Sequence, residues 1–317
     1  MTIMAKPIVL PLASVADRWR RAACGSLAAI LLLGFVIRAS AATPAAVIAD
    51  PPLDKAHPAA MVYVRIPSHG ELMNGVLYTA SGVGPHWAVM LFHGFPGNEQ
   101  NLDLAQAMRR AGFDVLTMHY RGAWGSPGKF SFTHALEDSD AAVAFLKSNA
   151  VKFDIDAKRI FVAGHSMGGW MAASAAAHDR AVAGVILISA ADMGIMGTQF
   201  HDPVARRKAM DSEFRADAIP LAGTTAEALM NELADHGAGW DFVSLAPQLK
   251  SRPLLLITSN DGLAAAGARL AAAVKQAGGT VSEFHFPTDH SYSDHRIALE
   301  SAVVAWLEKH SSATDRP

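Results

Sequence analysis

A serine stands between glycines in Gly164-His165-Ser166-Met167-Gly168-Gly169. The apolar run Ile160-Phe161-Val162-Ala163 precedes it and the Ala-rich stretch from Trp170 to Ala177 follows. Strand, G-x-S-x-G and helix in that order make a tight turn that lifts a serine hydroxyl above the end of a sheet. Glycine belongs at 164 and 168 because a side chain there would meet the neighbouring backbone. A serine hydroxyl is a weak nucleophile near neutral pH, so it needs a base within hydrogen-bond reach and a carboxylate to orient that base.

Both partners can be read further along the chain. Asp261 lies in Ser259-Asn260-Asp261-Gly262, directly after the apolar run 254–258. His290 lies in Thr288-Asp289-His290-Ser291, after the run ending at Phe286. Each is therefore expected beyond the carboxyl end of a strand, where sites of open α/β sheets collect. His295 is the rival base. The reading favours His290, because His295 falls at the start of a helix, where the helix dipole disfavours an imidazolium. The charge developing on a substrate oxygen needs fixed donors. The backbone N–H groups of Met167 and of Phe95, in His93-Gly94-Phe95-Pro96-Gly97, are the candidates. No residue is singled out for substrate binding.

The elements that must position these groups follow from periodicity. Strands are expected at 61–66, 75–79, 87–92, 115–118, 159–163, 184–188, 253–258 and 281–286, and helices at 102–111, 134–148, 264–276 and 297–309. This alternation predicts an α/β chain with a mostly parallel central sheet and helices on both faces. Between Asp192 and Lys250 strand signals stop, and helical segments at 204–214 and 225–236 take over. That stretch is read as a helical lid insertion over the strand ends, with a plain long crossover as the alternative. The expected organisation is a core of 60–192 and 251–311 carrying an insertion of 193–250.

The N-terminus is of another kind. Arg18, Arg20 and Arg21 precede an apolar run from Ala22 to Ile37, and Ala39-Ser40-Ala41-Ala42 follows. The pattern is that of a secretory signal over 1–42, leading into an Ala/Pro-rich linker over 43–59. The run falls short of the roughly 20 residues that a membrane span takes. Export to the periplasm or medium is therefore the expectation, with an N-terminal membrane anchor as the alternative. The single cysteine, Cys24, lies inside this segment.

The whole chain has 317 residues, 51 % hydrophobic and 18 % charged, with a net charge of −2. That balance gives no basis for a nucleic-acid partner, and no Cys/His spacing of zinc type occurs. Oligomeric state is not legible.

Taken together, His93-Gly94-Phe95-Pro96-Gly97, the turn at Ser166, Asp261 and His290 resemble the α/β-hydrolase superfamily. Tyr120-Arg121-Gly122-Ala123-Trp124-Gly125-Ser126-Pro127-Gly128, followed by Leu136-Glu137-Asp138, is similar to the catalytic domain of prolyl oligopeptidase-type serine peptidases, which include acylaminoacyl peptidases. The resemblance implies an α/β-hydrolase fold, Ser166 as nucleophile, His290 as base, Asp261 as its orienter, and no metal or cofactor. It implies hydrolysis of a small-molecule ester or amide, with carboxylic esters first and peptide or aminoacyl bonds second. No segment before residue 60 could supply the β-propeller of full-length oligopeptidases. An acyltransferase and a noncatalytic binding protein remain as other uses of the same fold.

Overall fold

In the computed structural model, residues 42–211 and 213–312 are described. The signal expected over 1–42 lies almost wholly outside them. Eight strands form one sheet: β1 (Ala60–Ser68), β2 (Glu71–Thr79), β3 (His86–Phe92), β4 (Asp114–Met118), β5 (Ile155–His165), β6 (Val182–Ile188), β7 (Leu254–Thr258) and β8 (Val281–His285). Their order is β1-β2-β4-β3-β5-β6-β7-β8. The β1–β2 hairpin and the β2–β4 pair are antiparallel, and every pair from β4 to β8 is parallel.

Burial follows from that arrangement. β4 is buried along its whole length, as a strand covered on both faces must be. β1 alternates between exposed and buried positions toward its end, as an edge strand with one wet face does. Neighbouring residues of β3, β5 and β6 feed opposite cores. Met90, Val162 and Leu187 face the helices Phe132–Ser148, Met167–His178 and Ala264–Gln276. Val89, Phe161 and Ile186 face Leu102–Arg110 and Arg296–Ser312. Residues 43–59 are not uniformly extended: the turn Ala45–Ile48 docks on the core, where Arg110 Nε donates to the Ala46 carbonyl at 2.5 Å.

Strand order fixes where a site can form. β3 has β4 on one side and β5 on the other, so the connections leaving β3 and β5 part in opposite directions and open a crevice at their carboxyl ends. Phe92, the last residue of β3, is level with Gly164, and His165 is level with Ile188 at the end of β6.

Between β6 and β7 the described residues carry helices and no strand. The single helix expected over 204–214 is two, Pro203–Met210 and Glu213–Ala218, and a further helix, Met193–Gln199, precedes them. Asp192 starts that first helix, its Oδ1 accepting from the N–H groups of Gly194 and Ile195 at 3.0 Å. The insertion is stitched to the core segment 122–133. Phe130 N–H donates to the Ala222 carbonyl at 2.9 Å and Ala222 N–H to the Gly122 carbonyl at 2.7 Å. The two carboxylate oxygens of Glu232 accept from the N–H groups of Phe132 and Thr133 at 3.0 and 2.8 Å, capping a helix whose own orphan donors need acceptors.

Candidate active site

Ser166 sits at φ 58°, ψ −125°, between β5 and the helix Met167–His178. A non-glycine residue rarely holds that conformation, and it persists only where the surroundings impose it. Here the surroundings are backbone. A Cβ on Gly164 would stand 1.9 Å from the Gly168 carbonyl oxygen, and one on Gly168 would stand 2.2 Å from that of Phe92. The turn is thus closed so tightly that only glycine fits on either side of it. Ser166 N–H donates to the Ile188 carbonyl, and the Ser166 carbonyl accepts from the N–H groups of Gly169 and Ala191, all at 3.0 Å.

The loop after β3 lies against the serine. A Cβ on Gly94 would fall 2.8 Å from Ser166 Cβ and 3.4 Å from its Oγ. The loop is held from beneath by side chains. His93 Nδ1 donates to the Gly94 carbonyl at 2.7 Å, Tyr120 Oη to the His93 carbonyl at 3.1 Å, and Trp124 Nε1 to the Pro96 carbonyl at 2.7 Å. Burial pushes the His93 imidazole down to about 3, so it is neutral at working pH. The N–H groups of Phe95 and Met167 take no acceptor among the described residues, which leaves them available to an incoming oxygen.

Asp261 and His290 are brought together from the ends of β7 and β8. His290 Nδ1 donates to Asp261 Oδ2 at 2.7 Å; the Asp261 side chain is 4 % exposed and the imidazole 39 %. Burial alone would raise the Asp261 carboxyl. Hydrogen bonds from His290, Ser189, the Leu263 N–H and Ser259 outweigh it and hold the group well below the usual carboxylate range. The ring of His290 is thereby fixed with Nε2 as its free nitrogen. His165, beside the serine in sequence, joins the two halves of the site. Its Nε2 donates to the His290 carbonyl at 2.8 Å, and the two rings lie 4.5 Å apart. The Ser166 hydroxyl makes no hydrogen bond in the described contacts, and the approach of such a hydroxyl to its base commonly tightens only when substrate binds. His295 lies elsewhere, its Nδ1 donating to Asp294 at 2.8 Å and its ring against Phe286.

A polar layer behind Asp261 gave no signal in the sequence. Ser189 Oγ bonds to Ser259 Oγ at 3.0 Å and to Tyr292 Oη at 2.9 Å, all buried. Burial pushes the Tyr292 phenol up to about 12, so it stays a neutral hydrogen-bonding group. Arg121 is structural: Nε donates to Asp138 Oδ1 at 2.6 Å, Nη2 pairs with Glu137, and Asp138 also accepts from Ser68 Oγ at 2.6 Å.

Comparisons with known proteins agree with this architecture. The serine aminopeptidase S33 family of hydrolases matches residues 84–196, which span the β3 loop and the serine turn. No curated protein matches the chain. Among solved structures, a thermostable carboxylesterase cloned from a metagenomic library superposes with a TM-score of 0.59 at 20 % identity, over 80 % of this chain and 90 % of that one. An esterase of Pyrobaculum calidifontis gives 0.60 at 19 %, over 81 % and 88 %. The acylaminoacyl peptidase of Pyrococcus horikoshii gives 0.59 at 18 %, over 79 % of this chain but only 41 % of the peptidase. The chain has the α/β-hydrolase fold.

Proposed function

We propose that this chain is a serine hydrolase that cleaves small carboxylic esters through an acyl-enzyme. His290 Nε2 takes the proton of Ser166 Oγ as the oxygen attacks the substrate carbonyl. The oxyanion rests on the N–H groups of Phe95 and Met167, and the imidazolium, steadied by Asp261, returns its proton to the departing alkoxide. Water activated by His290 then attacks the acyl-enzyme, the carboxylic acid leaves, and Ser166 regains its proton. One observation carries the reading. The serine is held in a strained, backbone-enforced turn, and an aligned aspartate–histidine pair is tethered to it through His165. A carboxylesterase and an esterase among the structural neighbours, matched over most of their length, favour esters.

A second reading, hydrolysis of an aminoacyl amide, draws on the S33 aminopeptidase match and on the acylaminoacyl peptidase neighbour. The experiment is a panel of p-nitrophenyl esters of rising acyl length run beside aminoacyl-nitroanilides, with fluorophosphonate labelling of the enzyme. Ester turnover, labelling at Ser166, and loss of both in Ser166→Ala by at least about 10³ are expected. Absence of labelling would reject a serine nucleophile. We also propose export of the protein, on the basic, apolar and small-residue order of residues 18–42. Among the described residues no helix is long and apolar enough to cross a membrane.

A further inference from the structure

The side chain of Phe95 does not point into an ordinary core. It meets an aromatic cluster assembled from two parts of the chain. Phe130 and Phe132 come from the core segment, with ring centroids 6.0 and 5.6 Å away. Phe214 comes from the helical insertion and stacks on Phe95 at 5.3 Å, with 25° between planes. Phe200, also from the insertion, meets the Phe214 ring edge-on at 5.6 Å. The insertion therefore reaches the residue whose backbone N–H is the candidate oxyanion donor. It does so from a base that is itself fixed to the core by Glu232 and by the bonds at Ala222.

The loop carrying Phe95 lies between two glycines, Gly94 and Gly97, and Gly97 has φ 112°. Pro96 restricts the backbone of residues 95 and 96, while the two glycines leave the ends of the loop free to follow what packs against them. His93 Nδ1 holds the Gly94 carbonyl and with it the tilt of the planar peptide unit that carries the Phe95 N–H, while Tyr120 and Trp124 hold the carbonyls of residues 93 and 96. What locates the Cα end of that unit is the Phe95 ring, clamped between the core phenylalanines and Phe214. A donor displaced by about 1 Å loses much of its effect on the transition state.

We propose that Phe214 is a positioning residue for the oxyanion donor at Phe95, so that the insertion completes the active site instead of only covering it. The proposal rests on the serine-hydrolase reading. Fluorophosphonate labelling of the wild-type chain tests that reading first and separately. The variants are Phe214→Ala and Phe214→Leu in the full chain, assayed with p-nitrophenyl esters of short and long acyl groups and with a trifluoromethyl ketone, which forms a tetrahedral adduct with the serine.

For Phe214→Ala, kcat is expected to fall about ten-fold or more on every ester with KM within about two-fold, as befits an interaction made in the transition state. Affinity for the ketone should fall in step, and Phe214→Leu should recover part of both. If the alanine variant does not fold, the leucine variant carries the test with a smaller, parallel fall. A KM change that depends on acyl length would instead make Phe214 a wall of the acyl pocket and overturn the proposal. So would an unchanged kcat in a variant with lowered Tm, which marks packing alone. A wild-type chain that does not label fails the underlying reading, whatever the Phe214 variants do.

Discussion

His165 donates through Nε2 to the main-chain carbonyl of His290 across 2.8 Å, so the residue before the candidate nucleophile holds the loop that carries the candidate base. Burial, followed by the nearby charge of His290, pushes the His165 imidazole down to about 4. It is therefore neutral at pH 7, and the bond is an ordinary N–H to carbonyl bond. A folded value below the unfolded 6.5 means that His165 contributes stability above pH 6.5 and loses it as pH falls toward 4. His165→Phe keeps a planar ring but removes the donor, a loss of about 1–3 kcal/mol. We expect kcat to drop by about ten-fold or more. Denaturant melts between pH 6.5 and 4 should show a flatter decline than in the wild type. An equally steep decline would remove His165 from this role.

Ser166 pays in stability for its conformation. A non-glycine residue at φ 58°, ψ −125° costs about 1–3 kcal/mol, part of which the greater chain entropy of a glycine offsets. Ser166→Gly should therefore gain about 1 kcal/mol by urea unfolding while losing all fluorophosphonate labelling. A destabilised glycine variant would show that the turn is not under strain.

Asp261→Asn preserves the shape at the bottom of the site but offers His290 an amide in place of a carboxylate. The imidazolium formed in catalysis would lose its stabilising charge, and the ring could adopt the other tautomer. A fall in kcat of about 10³–10⁴ is expected, with KM little altered. Turnover within ten-fold of the wild type would point to a different acid.

Asp114, far from this site at the start of β4, makes a prediction of opposite sign. It is fully buried; Oδ1 accepts from the Ala80 N–H at 2.7 Å, and Oδ2 has no partner. Burial, with Asp154 adding to it, pushes the carboxyl up to about 6. A folded value above the unfolded one means that the group stabilises at low pH and that this contribution disappears as pH rises through 6. Asp114→Asn should then gain stability relative to the wild type between pH 4 and 8, by about 1–3 kcal/mol in all. Paired urea titrations at pH 4 and pH 8 that differ by the same amount would refute it.

The Asp261–His290 pair was legible in the sequence because each residue follows directly on a strand-like apolar run, and parallel topology aligns all such ends. The tightness of the serine turn was legible in the same way, from glycines at 164 and 168. The Ser189–Ser259–Tyr292 layer was not, because isolated serines and a tyrosine have no spacing signal and meet only once β6, β7 and the loop after β8 are side by side. The helices of 193–250 were harder still. Alanine and glycine are frequent there, so apolar periodicity is weak, and the helix Pro203–Met210 ends where no glycine or proline announces it.

The Glu232 carboxylate has a bearing on how this scaffold could be re-engineered. Exchanging the 193–250 segment for a shorter crossover would strip the amides of Phe132 and Thr133 of their acceptors and leave the start of a major helix with Ser131, which accepts from the His134 N–H, as its side-chain cap. A graft intended to broaden the range of substrates should therefore bring its own acidic residue to that spot. Without one, the chimaera will be limited by its folding yield before its selectivity can be measured.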